Sequence, residues 1–260
     1  MATAPAMEKP RLAWHVRGTW SAADDRLPFA VWLGILWVGI LGGFGTDFPR
    51  FLHEKPAAPV VVSVHGVVFT VWMLLLTAQV LLVLRNRIAW HMRLGWVTVG
   101  WALLMAVVGP WAAIASLAVQ IQAPDFAPQF LSLNIADLGG FFVLLAWGIT
   151  LRKNPAAHKR IMILATVSLA QPGFNRLGAW FIPGEPSSAQ MLFLLVYYGN
   201  LALVLLMAVW DWWKGRLMRQ FVLGAAGLLA AEYLASLLYF WAPWRNLTAA
   251  WVAAWARHFG

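Results

Sequence analysis

Seven apolar stretches of about 20 residues, the length needed to cross a bilayer core as a helix, recur along the chain between short polar connections. They run from Pro28 to Gly45, Val60 to Leu84, Leu94 to Val119, Phe130 to Leu151, Ile161 to Ile182, Met191 to Trp213 and Phe221 to Trp241. The pattern predicts an all-α fold, an integral membrane bundle of about seven transmembrane helices. The third and fifth stretches contain Pro110 and Pro172, which a bundle tolerates as kinks. Composition agrees: of 260 residues, 62% are hydrophobic and 11% charged, about half the charged share of a soluble domain. Eighteen tryptophans suit a chain with two membrane–water interfaces.

The connections sort by charge. Lys9, Arg11, Arg17 and Arg26 precede the first stretch, and Arg85, Arg87 and Arg93 lie between the second and third. Arg152, Lys153, Lys159 and Arg160 lie between the fourth and fifth, and Lys214, Arg216 and Arg219 between the sixth and seventh. These fourteen, out of 19 basic residues, all fall on one side, which the positive-inside rule assigns to the cytoplasm. The N-terminus is then cytoplasmic and the C-terminus outside. No small-residue cleavage site follows a short apolar core near the N-terminus, so the first stretch reads as an uncleaved anchor. The expected location is the bacterial inner (plasma) membrane, with the lipid bilayer as the first partner.

Residues 1–27 read as a cytoplasmic interfacial tail anchored by Trp14 and Trp20, residues 28–243 as the membrane domain, and residues 244–260 as an outer interfacial helix carrying Trp244, Trp251 and Trp255. The net charge of +9 is spread as short runs between apolar stretches, not as a basic patch with interleaved aromatics, so no nucleic-acid partner is expected. With no cysteine, disulfides, thiolate metal sites, c-type haem attachment and cysteine nucleophiles are excluded. No nucleotide-binding or nucleophile-elbow motif occurs. The seventh stretch has no central lysine for a retinal Schiff base.

Two cytoplasmic connections share one signature. Arg85, His91 and Arg93 have the same spacing as Arg152, His158 and Arg160. This suggests two copies of a helical hairpin, residues 60–119 and 130–182, against the plainer reading that arginines crowd any cytoplasmic loop. The run of His65, Gln79, Arg87, His91, Met92, Arg93, Leu94 and Gly95, followed by His158, Lys159, Arg160, Met162 and Arg176, resembles a bacterial family of polytopic membrane proteins of unknown function. Its members carry a His-Gly at the start of one span, a His-Arg-x-x-Gly after the next loop and a second His-Arg before a later span. The resemblance covers about residues 60–178. Met92 splits the first His-Arg pair and Lys159 the second. It implies a topology and brings no activity with it.

Polar residues inside the stretches are the functional candidates, because ionisable groups in hydrocarbon are costly. At a rise of about 1.5 Å per residue, His65, Asp137 and Arg176 fall roughly 6 to 10 Å below the outer surface, and Gln171, Asn200 and Glu232 about 15 Å down, with Asn175 on the stripe of Gln171. One polar cavity in the outer half, binding a small ligand, ion or proton for transport or sensing, would account for all seven. Arg176 needs a carboxylate, and Asp137 or Glu232 is the expected partner. Pro172 and Gly173 predict a bend in the fifth helix, a hinge or a fixed shape. The plainer reading is that Asn, Gln and Ser only bond neighbouring helices, at about 0.6 kcal/mol each; Gln79 is read this way.

Three alternatives stay open. His91 and His158, at equal depth, would ligate b-type haem or another metal, with Arg93 and Arg160 on the propionates or on other anionic head groups. A His-ligated metal enzyme has poor material in three histidines on two opposite sides. The chain would otherwise be a structural subunit of a membrane complex or a homo-oligomer.

Overall fold

The computed structural model describes residues 25–178 and 186–259, and every element among them is helical. In chain order these are α1 (Arg26–His53), α2 (Val60–Leu84), α3 (Ile88–Val119), α4 (Leu131–Thr150, with a 3-10 turn at either end), α5 (Pro155–Gly178), α6 (Ala189–Trp213), α7 (Arg219–Tyr239) and α8 (Ala242–Phe259). Local chemistry marks their ends. Asn86, at φ 57°, closes α2 while Arg87 N–H donates to the Leu82 carbonyl at 2.7 Å, and Gly215, at φ 65°, closes α6. Asn154 Oδ1 accepts from Ala157 N–H at 3.3 Å, and Pro155 supplies the first residue of α5. Ser188 Oγ caps α6 by accepting from Met191 N–H at 3.2 Å.

Six helices among the described residues are long and apolar enough to cross a membrane: α1, α2, α3, α4 with its flanking turns, α6 and α7, at mean hydropathies of 1.7 to 2.5. The chain is a multi-pass helical membrane protein. The expected count of seven is corrected at α5. That helix carries Lys159, Arg160, Gln171, Asn175 and Arg176 and is too polar to qualify on its own. Its position explains why this is tolerated: α5 packs against α1, α4, α6 and α7, and 15 of its 24 residues are buried. Neighbouring helices take the place that lipid takes for the others. Residues 179–182 of the expected fifth stretch, and nearly all of the N-terminal tail, lie outside the described residues.

Two glycine contacts bring α5 against α1. A Cβ on Gly43 would run into the Gly173 carbonyl, and a Cβ on Gly173 would come within 2.8 Å of the Gly39 carbonyl oxygen. Backbone meets backbone there, which is how small residues let membrane helices approach. α2 and α3 form one hairpin and α4 and α5 another. α8 does not qualify as a span; it lies on α3 and on the turn before α4, where Trp244 Nε1 donates to the Gln129 carbonyl at 3.2 Å and Val252 is fully buried.

Because all three atoms nearest a Cβ on Gly43 belong to the Gly173 backbone, Gly43→Ala is expected to push α1 off α5 and destabilise the protein by about 1–3 kcal/mol. Gly34→Ala, whose added Cβ meets nothing within 4 Å, should be neutral. Thermal unfolding in detergent checks the pair; equal midpoints for the two variants would contradict the close approach.

Candidate functional site

The described basic connections meet at one end of the bundle. Arg160, fully buried at the start of α5, donates to both oxygens of Asp211 at 2.5 and 2.7 Å, to Asp25 at 3.1 Å and to its own Ala156 carbonyl at 2.9 Å. Asp25 also takes Lys159 at 2.7 Å and Arg216 at 2.8 Å. Phe29 lies under both Lys159 and Arg160. This lattice ties α5 to the start of α1 and the end of α6, and Arg26 reaches Asn86 in the α2–α3 turn beside it. The expected head-group role of Arg160 is therefore corrected: its donors are spent on Asp211, Asp25 and the Ala156 carbonyl inside the protein. Arg93 stays exposed, 5.3 Å over the Trp90 ring.

His91 on α3 and His158 on α5 lie at the same end, with ring centroids 6.3 Å apart and planes at 83°. His158 Nδ1 lies 2.7 Å from the Gly148 carbonyl. A carbonyl can only accept, so Nδ1 carries the proton and Nε2 keeps a free lone pair. Gln79 fixes the other ring. Its amide oxygen accepts from Gly95 N–H at 2.8 Å and from the Thr98 hydroxyl at 3.3 Å, which turns its NH₂ toward His91 Nδ1 at 2.5 Å. That nitrogen of His91 is then an acceptor and the proton sits on Nε2. A metal on His91 Nε2 would require the proton on Nδ1, pointing at a donor. With that amide orientation the Nε2 of His91 offers no lone pair to a metal while that of His158 does, and among the described residues no group of three or more His, Asp or Glu could hold a metal.

At the opposite end the seven expected residues separate into two groups. Arg176 pairs with neither Asp137 nor Glu232, which corrects the expectation; its Nε donates to Asp47 on α1 at 2.9 Å, its Nη1 to the Pro172 carbonyl at 3.0 Å, and its guanidinium lies 4.7 Å over Phe44. Asp47 also takes Arg50 at 2.7 Å. His65 belongs here, within electrostatic reach of Arg176 and stacked on Phe69 at 4.0 Å, its Nδ1 buried without a partner. Asn175 is half-buried.

The second group joins α4, α6 and α7. Asn200 Nδ2 donates to Glu232 Oε1 at 2.6 Å, both residues being completely buried. Asp137 lies beside the Tyr197 hydroxyl and within electrostatic reach of Glu232. Ser168 on α5 donates to the Asp137 carbonyl at 2.5 Å, and Gln171 donates to the Val196 carbonyl at 3.3 Å. Among the described residues neither carboxylate is in an ion pair. Four buried atoms are left with no hydrogen-bond partner: Asp137 Oδ1, Tyr197 OH, Asn200 Oδ1 and Glu232 Oε2. Buried polar atoms without partners are exceptions in folded proteins and call for an occupant.

Compared with known proteins, the chain matches no family, no curated protein and no solved structure. The site's chemistry has to be read from its own residues.

Removing Arg160 leaves Asp211 buried and uncompensated. Arg160→Met is expected to cost about 3–5 kcal/mol, and adding Asp211→Leu should return part of it. Thermal unfolding of the single and double variants measures this; a loss under about 1 kcal/mol would show that the lattice does not hold α5 in place.

Proposed function

We propose that this membrane protein binds a proton or small ion between α4, α6 and α7, at Asp137, Tyr197, Asn200 and Glu232, for transport or sensing. The observation that carries the reading is the set of four unpartnered, buried oxygen atoms around two carboxyl groups that have no basic partner among the described residues. In a low-dielectric interior two such groups must acquire positive charge from elsewhere, and the mobile sources are protons and cations. Gln171 and Ser168 brace the site from α5. Pro172 follows directly, so a change in occupancy can act on the bend of that helix.

In this reading α5 lies inside the bundle, sheathed by α1, α4, α6 and α7. The basic end faces the cytoplasm by the positive-inside rule, which puts the site in the outer half. His65, Arg176 and Asp47 then form a charged rim on the outer side of the site. The matched spacing of Arg85, His91 and Arg93 with Arg152, His158 and Arg160, whose histidine rings lie 6.3 Å apart, supports reading the hairpins α2–α3 and α4–α5 as copies of one unit.

Ligands that bind only the native state raise its stability, by about 2.7 kcal/mol at one hundred times the dissociation constant. The thermal midpoint of the detergent-solubilised protein is therefore expected to vary with pH or with an added cation, and this variation should shrink strongly in Glu232→Gln and Asp137→Asn. An identical response in the wild type and both variants would refute the site.

A further inference from the structure

The donors and acceptors of the Asp137–Glu232 group do not balance. Glu232 Oε1 is served by the Asn200 amide. Asp137 Oδ1, Glu232 Oε2 and Asn200 Oδ1 remain as acceptors, and the donors left beside them are the Tyr197 hydroxyl and the second N–H of Asn200. Two donors cannot serve three acceptors, and neither donor cancels a carboxylate charge. Two protons on the carboxyls would fill the deficit and cancel both charges. One monovalent cation with one proton does the same electrically, and the cation also takes up several oxygens at once.

The donor set narrows the cation. All four atoms are oxygen, which selects hard ions and disfavours copper, zinc and iron. Calcium takes about six to eight oxygens and magnesium keeps most of its water, and four side-chain oxygens in a closed, buried setting serve neither. An alkali cation of sodium size is what remains. Among the described residues no other charge faces the group from the helices around it: α4 brings Asp137, α7 brings Glu232, α6 brings the neutral Tyr197 and Asn200, and α5 brings the neutral Ser168 and Gln171. Arg176, the basic residue of the outer part of α5, is held by Asp47.

From this imbalance we infer that Asp137, Tyr197, Asn200 and Glu232 form a single site at which one alkali cation competes with one proton. In the exchange the cation binds the carboxylate oxygens, one carboxyl O–H bond breaks, the proton leaves to solvent, and the charge of the site does not change. This rests on the ion-binding reading above and names the occupant. It makes the protein a candidate for coupling a cation gradient to a proton gradient.

The test is proton release from the detergent-purified protein in weak buffer with a pH dye, on adding LiCl, NaCl, KCl or choline chloride. One of the three alkali salts should release protons saturably, approaching one per chain, with choline chloride giving none. Glu232→Gln and Asp137→Asn should abolish the release. Tyr197→Phe, which keeps both carboxyls, should leave the yield near one proton while weakening the apparent affinity about tenfold. If all salts are silent while the pH dependence of thermal stability remains sensitive to Glu232→Gln, the cation exchange is overturned and proton binding stands. If release is the same in Glu232→Gln as in the wild type, both are overturned.

Discussion

A helix as polar as α5 can lie within a bilayer only if other helices keep lipid away from it, because hydrocarbon offers no partner to a hydrogen-bonding group. Much of the bundle follows from that requirement. α1, α4, α6 and α7 surround α5, and each turns apolar residues such as Val38, Val143, Leu205 and Leu234 outward. The contact with α1 is made by bare backbone at Gly43 and Gly173, which leaves no room for lipid or water between the two helices. At the basic end Arg160 fixes the same helix through Asp211 and Asp25, so α5 is held by geometry in its middle and by charge at its start.

This sheathing creates the conditions for the carboxyl group. Asp137 and Glu232 come from α4 and α7, the two helices that pack together on one side of α5, and they are sealed without a basic residue. The two arginines of α5 are committed elsewhere: Arg176 to Asp47, Arg160 to Asp211. Among the described residues the arginines of α5 are paired while these two carboxyls are not. The histidine pair belongs with these structural contacts, since Gln79 fixes the His91 ring within the α2–α3 hairpin and the Gly148 carbonyl fixes the His158 ring within the α4–α5 hairpin.

Much of the fold was legible in the sequence. Apolar length located six helices, although α1 runs eight residues past its expected end and α3 begins six residues before its expected start, and the charge of the connections foretold which ends would gather. The fifth helix was read as one more apolar span because Ile161 to Ala170 is apolar; that its polar half needed a protein sheath became clear only from packing. Asp137, Asn200 and Glu232 stood out as polar residues at similar depth, and Tyr197 was visible one turn before Asn200. The partners of the arginines were not visible. Asp25, Asp47 and Asp211 sit at helix ends, where an acidic residue is unremarkable, so Arg176 was assigned to the deeper carboxylates. The orientation of the Gln79 amide, which decides against metal ligation by His91, has no sequence signal at all.

Infrared difference spectroscopy on the membrane-embedded protein, stepped in pH with and without alkali cation, reads the state of the carboxyl group most directly. Protonated carboxyl absorption that appears and disappears with pH, and is lost in the Asp137→Asn/Glu232→Gln double variant, is the predicted result. Spectra that are the same for the wild type and the double variant under every condition would contradict an exchangeable charge between α4, α6 and α7.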